Sequence, residues 1–238
     1  MNLIICAAGS SNRLKKLTKK KPKSMIRIGN KMIINRVLES FNLKQIQKVF
    51  IVVGFKRELL KKNIDKKFRN KIIFITNNIY KKTGNMHSLS LAGNESQSDI
   101  IFVNADNLIE KKVIKKFVLH KQKDLVLIDK NKFFFEDDDP VKVKMIKNKL
   151  FKIDKRLTKK DTNAVAVGLY KLSQNNFKKY LKISKSIFES GFINAGFIEP
   201  LKKIIKNKKS ISTYFPGYFK WADIDTLDDL KNAKKLFK

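Results

Sequence analysis

Apolar residues fall along this chain in two alternating patterns: short solid runs, and longer segments in which they recur every third or fourth position. The solid runs are Ile4-Ile5-Cys6-Ala7-Ala8, Val49-Phe50-Ile51-Val52-Val53, Ile72-Ile73-Phe74-Ile75, Ile100-Ile101-Phe102-Val103 and Leu125-Val126-Leu127-Ile128. Uninterrupted runs of this length predict buried strands. Between them, Lys31 to Phe41 carries Met32, Ile33, Ile34, Val37, Leu38 and Phe41, a spacing that predicts a helix lying on one face of a sheet. Lys56 to Lys66 predicts a basic helix and Lys111 to His120 an amphipathic one. From Asn85 the pattern again turns helical, with Met86, Leu89 and Leu91 inward. Strand and helix in alternation predict a parallel sheet with helices on its faces.

The second half changes rhythm. Val141 to Ile146 and Leu150 to Ile153 flank a polar Lys147-Asn148-Lys149 turn and predict a hairpin, entered from Glu136-Asp137-Asp138-Asp139-Pro140, the one dense acidic stretch. Asn163 to Leu172 predicts a strand, and Gln174 to Ser184 and Ile193 to Ile205 predict helices. A strand from Tyr214 ends in two carboxylates at alternating positions, Asp223 and Asp225. Thr226 then caps a last helix whose first turn holds Asp228 and Asp229 as helix-start charges.

The length of 238 residues fits one large α/β domain as well as it fits two small ones, and the 42% apolar content is within the globular range. No stretch is long and apolar enough to span a bilayer, and residues 1 to 7 lack the basic start of a secretory signal, so a cytoplasmic location is expected. The single cysteine, Cys6, cannot form an internal disulfide and reads as a small core residue rather than a nucleophile.

A formal charge of +33 raises the alternative of a basic nucleic-acid-binding protein. The distribution argues against it: 48 of the 54 basic residues are lysine, and they are scattered over every segment rather than gathered in a stripe. Most of this charge reads as solvated background. It would still steer an anionic nucleotide toward the protein, less so at high salt.

Candidate chemistry begins where the first run empties into Gly9-Ser10-Ser11-Asn12-Arg13-Leu14, followed by Lys21-Pro22-Lys23-Ser24-Met25. Small residues let backbone N–H groups approach a ligand, and Arg13 and Lys23 add a planar fork and a point charge, a pairing suited to a triphosphate. There is no Gly-Lys-Ser/Thr and only one glycine in the turn, which excludes the Walker and dinucleotide fingerprints. The fourth run is expected to continue as a strand through Asn104-Ala105-Asp106-Asn107, which places the Asp106 carboxylate at its C-terminal end, the edge where open α/β sheets collect ligands; a turn or helix cap is the other reading of this Asp.

Ala7, Ala8, Gly9, Arg13, Leu14, Pro22 and Lys23 match the signature Ala-Ala-Gly-x-Gly-x-Arg-Leu followed by Pro-Lys, and on these residues the chain resembles the nucleotidyltransferases that activate sugars, phosphocholine and similar small phosphates. Ser11 stands where the second glycine of that signature usually falls. The resemblance implies a single-domain Rossmann-like, GT-A-type fold over residues 1–238. It has a mostly parallel mixed sheet, helices on both faces, and a small acceptor-lining hairpin region near 130–160 with helices at 173–206. It also implies residue roles: Arg13 and Lys23 as catalytic cations; Ala7, Ala8, Gly9, Ser10, Ser11 and Ala105 around the nucleotide; and Asp106 and Asp225, helped by Asp223, on Mg²⁺.

The Asn85-x-x-Ser88-Leu89 segment resembles the base-contacting helix of phosphocholine cytidylyltransferases, which assigns Asn85 and Ser88 to the nucleotide. An N-cap at Asn85 and an incidental serine remain the alternative. Lys142 and Lys155 are acceptor candidates by resemblance, with ordinary solvated lysines as the other reading. Tyr80 and Trp221, together with Tyr214, Tyr218 and Phe219, could supply rings to a cationic acceptor. Many relatives carry a Glu shortly before the Gly168 equivalent, where this chain has Val165. The implied reaction is Mg²⁺-dependent transfer of CMP from CTP, or another nucleoside triphosphate, to a small phosphorylated acceptor. Alternatives are a sugar-1-phosphate uridylyl- or thymidylyltransferase and a relative that binds nucleotide without turnover. Neither nucleic acid nor membrane insertion is expected, a homo-oligomer is allowed, and such activated phosphates commonly feed surface-polysaccharide decoration.

Overall fold

The computed structural model describes residues 1–131, 140–208 and 211–238. Its first half reads β1 (Asn2–Ala7), α1 (Lys15–Thr18), β2 (Arg27–Ile28), β3 (Lys31–Met32), α2 (Ile33–Ser40), β4 (Val49–Val53), α3 (Arg57–Asn63), β5 (Ile72–Thr76) and α4 (Asn85–Asn94). Next come β6 (Ile100–Asn104), β7 (Asn107–Ile109), α5 (Lys111–Leu119), β8 (Leu125–Asp129), β9 (Val141–Ile146), β10 (Lys149–Asp154) and β11 (Ala164–Leu172). The chain closes with α6 (Gln174–Glu189), α7 (Ile198–Lys208), β12 (Ser212–Tyr214), β13 (Trp221–Asp223) and α8 (Leu227–Leu236).

The main sheet runs β5-β4-β1-β6-β11-β8-β12-β10-β9. β5, β4, β1 and β6 are parallel, β8 and β12 are parallel, and only β11 and β10 are reversed, so the mostly parallel mixed sheet expected from the resemblance is what forms. Along β1, Leu3, Ile5 and Ala7 pack with one core cluster and Ile4 with the other, which is why the run carries no polar alternation. Residues of α2, α5 and α8 cover the first face; α4, α6 and α7 cover the second. Among the described residues, no helix is long and apolar enough to cross a membrane.

The predicted hairpin forms as β9 and β10, with Lys147 and Asn148 at φ of 47° and 59° in its turn. β9 also pairs with the first half of β11, so β8, β12, β10, β9 and β11 close into a ring at one end of the sheet. Where β11 passes from β9 to β6 its register with β8 shifts between Ala166 and Tyr170. Gly168 lies in this bulge at φ +79°, and a Cβ there would stand 2.2 Å from Asn107 Nδ2, itself donating to the Val167 carbonyl. Gly168→Ala is therefore expected to lose at least about 2 kcal/mol of stability, combining the left-handed backbone cost with displacement of Asn107, and a shift in denaturation midpoint checks it.

Several boundaries differ from the sequence-based expectation. Lys31 and Met32 pair with β2, and the helix starts at Ile33. The fourth run stops at Asn104, and Asn107–Ile109 forms a separate small sheet with β13. α6 continues past Ser184 to Glu189 because nothing breaks it before Gly191, and α7 begins at Ile198 rather than Ile193. Leu91, expected inward, is half-buried, and Ala92 takes its place in the core. The acidic residues Glu136 to Asp139 lie outside the described residues.

Candidate functional site

In the sheet order, β4 lies on one side of β1 and β6 on the other, and this reversal opens a crevice above the carboxyl ends of β1 and β6. The turn after β1 rises into it. Ala7 and Ala8 are buried, and the Ala8 carbonyl accepts a hydrogen bond of 3.0 Å from the Phe55 N–H, fixing the base of the turn. Gly9 is exposed, and a Cβ added to it would meet nothing within 4 Å. Neither internal packing nor a positive φ demands glycine there, so its small size serves whatever approaches the backbone from the crevice. Ser11 has φ 50°, the conformation that explains a glycine at this place in the resembling signature, and its carbonyl accepts from Thr18 Oγ at 2.9 Å.

Lys23 stands on a 3-10 turn, Lys23–Met25, set by Pro22 and anchored by buried Ser24 and Met25. Its Nζ lies against Asp106 Oδ2 and 2.6 Å from Asp225 Oδ1, and Arg13 contacts Asp225 Oδ2 at 2.6 Å. Burial alone would lower the Lys23 pKa, but Asp106 and Asp225 more than offset it and hold the ammonium above the ordinary lysine range. It is charged at every working pH.

Asp225 reaches Asp106 from 119 residues away through a short ladder. β13 pairs antiparallel with β7, placing Asp223 opposite Asn107, and the Ile224 N–H donates to the Asp106 carbonyl at 3.3 Å. Asp229 then locks the turn. Its Oδ2 accepts from the N–H groups of Asp225 at 3.0 Å and Thr226 at 2.7 Å, while Thr226 Oγ1 accepts from the Asp229 N–H. The helix-start role expected for Asp229 is what forms. The expectation did not include its second function, holding the Asp225 backbone.

Two cavities meet at these carboxylates. The smaller, about 290 Å³, is lined by Cys6, Ala7, Gly9, Ser11, Arg13, Lys23, Ala105 and others; the larger, about 580 Å³, runs toward Asn85, Lys155, Tyr170, Phe197 and Trp221. Asp106 and Asp225 line both. The Trp221 indole N–H donates to Asp129 Oδ2 at 2.8 Å, so the end of β8 orients the ring. The Asn85 Oδ1 accepts from the Phe197 N–H at 2.8 Å, and Gly84, not Asn85, is the N-cap.

Other candidates fall elsewhere. Ser88, expected at the nucleotide, is buried and bonded to Asn77 Nδ2 at 3.1 Å. Lys142 is buried in β9 and does not line the larger cavity; Tyr80 packs against Gly54 below the β1 turn rather than in that cavity, and Ser10 lines neither. The Cys6 thiol is pushed up to about 12 by burial and by nearby Asp106, which removes it as a nucleophile at neutral pH. Iodoacetamide at pH 8 is expected to modify Cys6 in the folded protein at least about 100-fold more slowly than in urea, with the folded rate still rising at higher pH.

Fit to a divalent cation can be tested on the carboxylates themselves. Asp106 Oδ1 is buried and receives no hydrogen bond, and two carboxylates already share one cation, Lys23. A magnesium site of one or two carboxylates completed by phosphates and waters fits them. Asp223, expected to help, is exposed and lines the larger cavity together with Asp106 and Asp225, although among the described residues no group of three or more His, Cys, Asp or Glu side chains stands close enough to hold a metal by itself.

Residues 2–238 match the model of the Nucleotidyl transferase family, and the chain belongs to it. It is 29% identical over 240 residues to the bifunctional protein GlmU of Methanococcus vannielii, all of this chain and 55% of that protein, so it spans about half the length of that relative. It is 27% identical to a CTP:phosphoglutamine cytidylyltransferase of Campylobacter jejuni, covering 97% of this chain and 98% of that one. Among solved structures, the inositol-1-phosphate CTP transferase of T. maritima superposes with a TM-score of 0.81 at 19% identity, over 99% of this chain and 94% of that one. The chain is thus a member of the nucleotidyltransferase family and has a cytidylyltransferase among its relatives.

Proposed function

We propose that this chain transfers CMP from CTP to a small phosphorylated acceptor, phosphocholine-like or another small phosphate, and releases pyrophosphate. The observation that carries the reading is the meeting of Arg13, Lys23, Asp106 and Asp225 at the junction of the two cavities. The smaller cavity, floored by the β1 turn, takes the triphosphate; the larger takes the acceptor beside Lys155 and Trp221. The Campylobacter relative is named for CTP, and that supports the choice of nucleotide.

Asp106 and Asp225 would hold Mg²⁺, which neutralises phosphate charge and orients the oxygens it binds. Lys23, Arg13 and the backbone N–H groups of Gly9 and Ser11 bind the β- and γ-phosphates, where negative charge gathers as pyrophosphate departs. An oxygen of the acceptor phosphate, already anionic, attacks the α-phosphorus, and the bond from that phosphorus to the bridging oxygen breaks. No general base is required, which suits a site whose cavities are lined by no histidine among the described residues. Rate enhancement comes from positioning and electrostatics.

The test is an acceptor screen with Mg²⁺ and each nucleoside triphosphate, read by pyrophosphate release. CTP with one small phosphate is expected to exceed every other pairing; no release with any pairing refutes the reading. Similarity to the methanococcal GlmU protein favours a second reading, a sugar-1-phosphate uridylyl- or thymidylyltransferase, which predicts that UTP or dTTP wins the same screen.

A further inference from the structure

We infer that Lys23 is an exchangeable counter-ion of the metal site: its ammonium holds the carboxylate oxygens that a divalent cation needs, and an arriving triphosphate draws it away and so admits the metal. This rests on the reading that Asp106 and Asp225 hold the metal.

The geometry makes the competition direct. Lys23 Nζ touches one oxygen of each carboxylate, Asp106 Oδ2 and Asp225 Oδ1, and its side chain is only 12% exposed. A divalent cation bound to both carboxylates would lie within a few ångströms of that ammonium, a like-charge contact in a poorly solvated place. Two cations cannot both keep these oxygens. Water cannot easily take the ammonium in exchange, because the crevice buries it; phosphate oxygens can, since they offer charge and hydrogen bonds together. The motion required is small. Ser24 and Met25 anchor the 3-10 turn in the core, so the flexible lysine stem swings while its backbone stays in place. Asp106 Oδ1, which receives no hydrogen bond, is the oxygen with lone pairs uncommitted throughout.

Arg13 provides an internal comparison. It contacts the other oxygen of Asp225, but its side chain is 53% exposed, and an exposed ion pair competes weakly. Loading therefore depends on Lys23 far more than on Arg13. Nucleotide and metal are expected to bind together, with the metal binding poorly when offered alone.

The experiment titrates the full-length protein with Mn²⁺ in the absence of nucleotide, following unbound Mn²⁺ by electron paramagnetic resonance. Wild type is expected to bind with a dissociation constant on the order of millimolar. Lys23→Met is expected to tighten binding by about tenfold or more, and Arg13→Met by much less. Binding by Lys23→Met that equals or falls below wild type overturns the exchange, as does an equal gain from Arg13→Met. Micromolar binding by wild type overturns it as well, and that measurement stands even if Lys23→Met does not fold. In the double variant Lys23→Met, Asp106→Asn the gain is expected to vanish; if it persists, the metal lies elsewhere and the metal assignment fails with it. Because no nucleotide is present, an error in the choice of CTP leaves all these results unchanged.

Discussion

Asp225→Asn is expected to lower turnover by about 10³-fold or more while the protein stays folded. The amide keeps an oxygen where Lys23 donates, and the backbone N–H of residue 225 still reaches Asp229 Oδ2, so the turn into α8 survives. What is lost is one full negative charge at the junction of the two cavities. The stability loss is expected to be about 1 kcal/mol, the scale of a partly exposed ion pair, since the carboxylate is 20% exposed and Arg13 is at the surface. Steady-state pyrophosphate release beside a urea melt separates the two effects. Wild-type turnover in this variant would remove Asp225 from the chemistry.

The largest structural effect is expected at Gly84. A Cβ there would fall 2.1 Å from the Ala195 carbonyl oxygen, a backbone atom that cannot step aside as a side chain can. Gly84 and Met86 donate their N–H groups to the carbonyls of Ile193 and Ala195, and Asn85 ties down Phe197, so residues 193–197 are clamped to the start of α4. Gly84→Ala is expected to cost about 3 kcal/mol and to loosen a cavity wall formed by Asn85 and Phe197. The denaturation midpoint should fall with an unchanged slope, and the acceptor KM should rise more than the CTP KM.

This clamp also shows why part of the site could not be read from the sequence. Asn85 and Ser88 look equivalent there, one helical turn apart. Tertiary packing separates them, because Asn85 sits at the helix end beside the larger cavity whereas Ser88 turns into the core to meet Asn77. Residues 193–197 contain enough apolar positions to imitate a helix start, yet their backbone groups are spent on α4. The runs that became β1, β4, β6 and β8 were legible because strands buried on both faces carry no polar position to blur them. The separate strand β7 was not, since three residues define no period; the strand expected to end at Asp223 and Asp225 forms there only as the short β13, and its pairing with β7 brings Asp225 to Asp106. Lysine misled in one respect. Most of it is solvated as expected, but Lys142 and Lys171 are buried, and the Lys171 ammonium donates to the carbonyls of Val118 and His120 and caps the end of α5.

One measurement bears most directly on the claim that the cationic turn and the distant carboxylates form a single nucleotide site: a crystal structure with Mg²⁺ and a CTP analogue that cannot release pyrophosphate. The triphosphate is expected along the turn after β1, with Arg13 and Lys23 on its outer phosphates and the metal between Asp106 and Asp225. A nucleotide bound away from that turn, or a metal held by neither carboxylate, would contradict it.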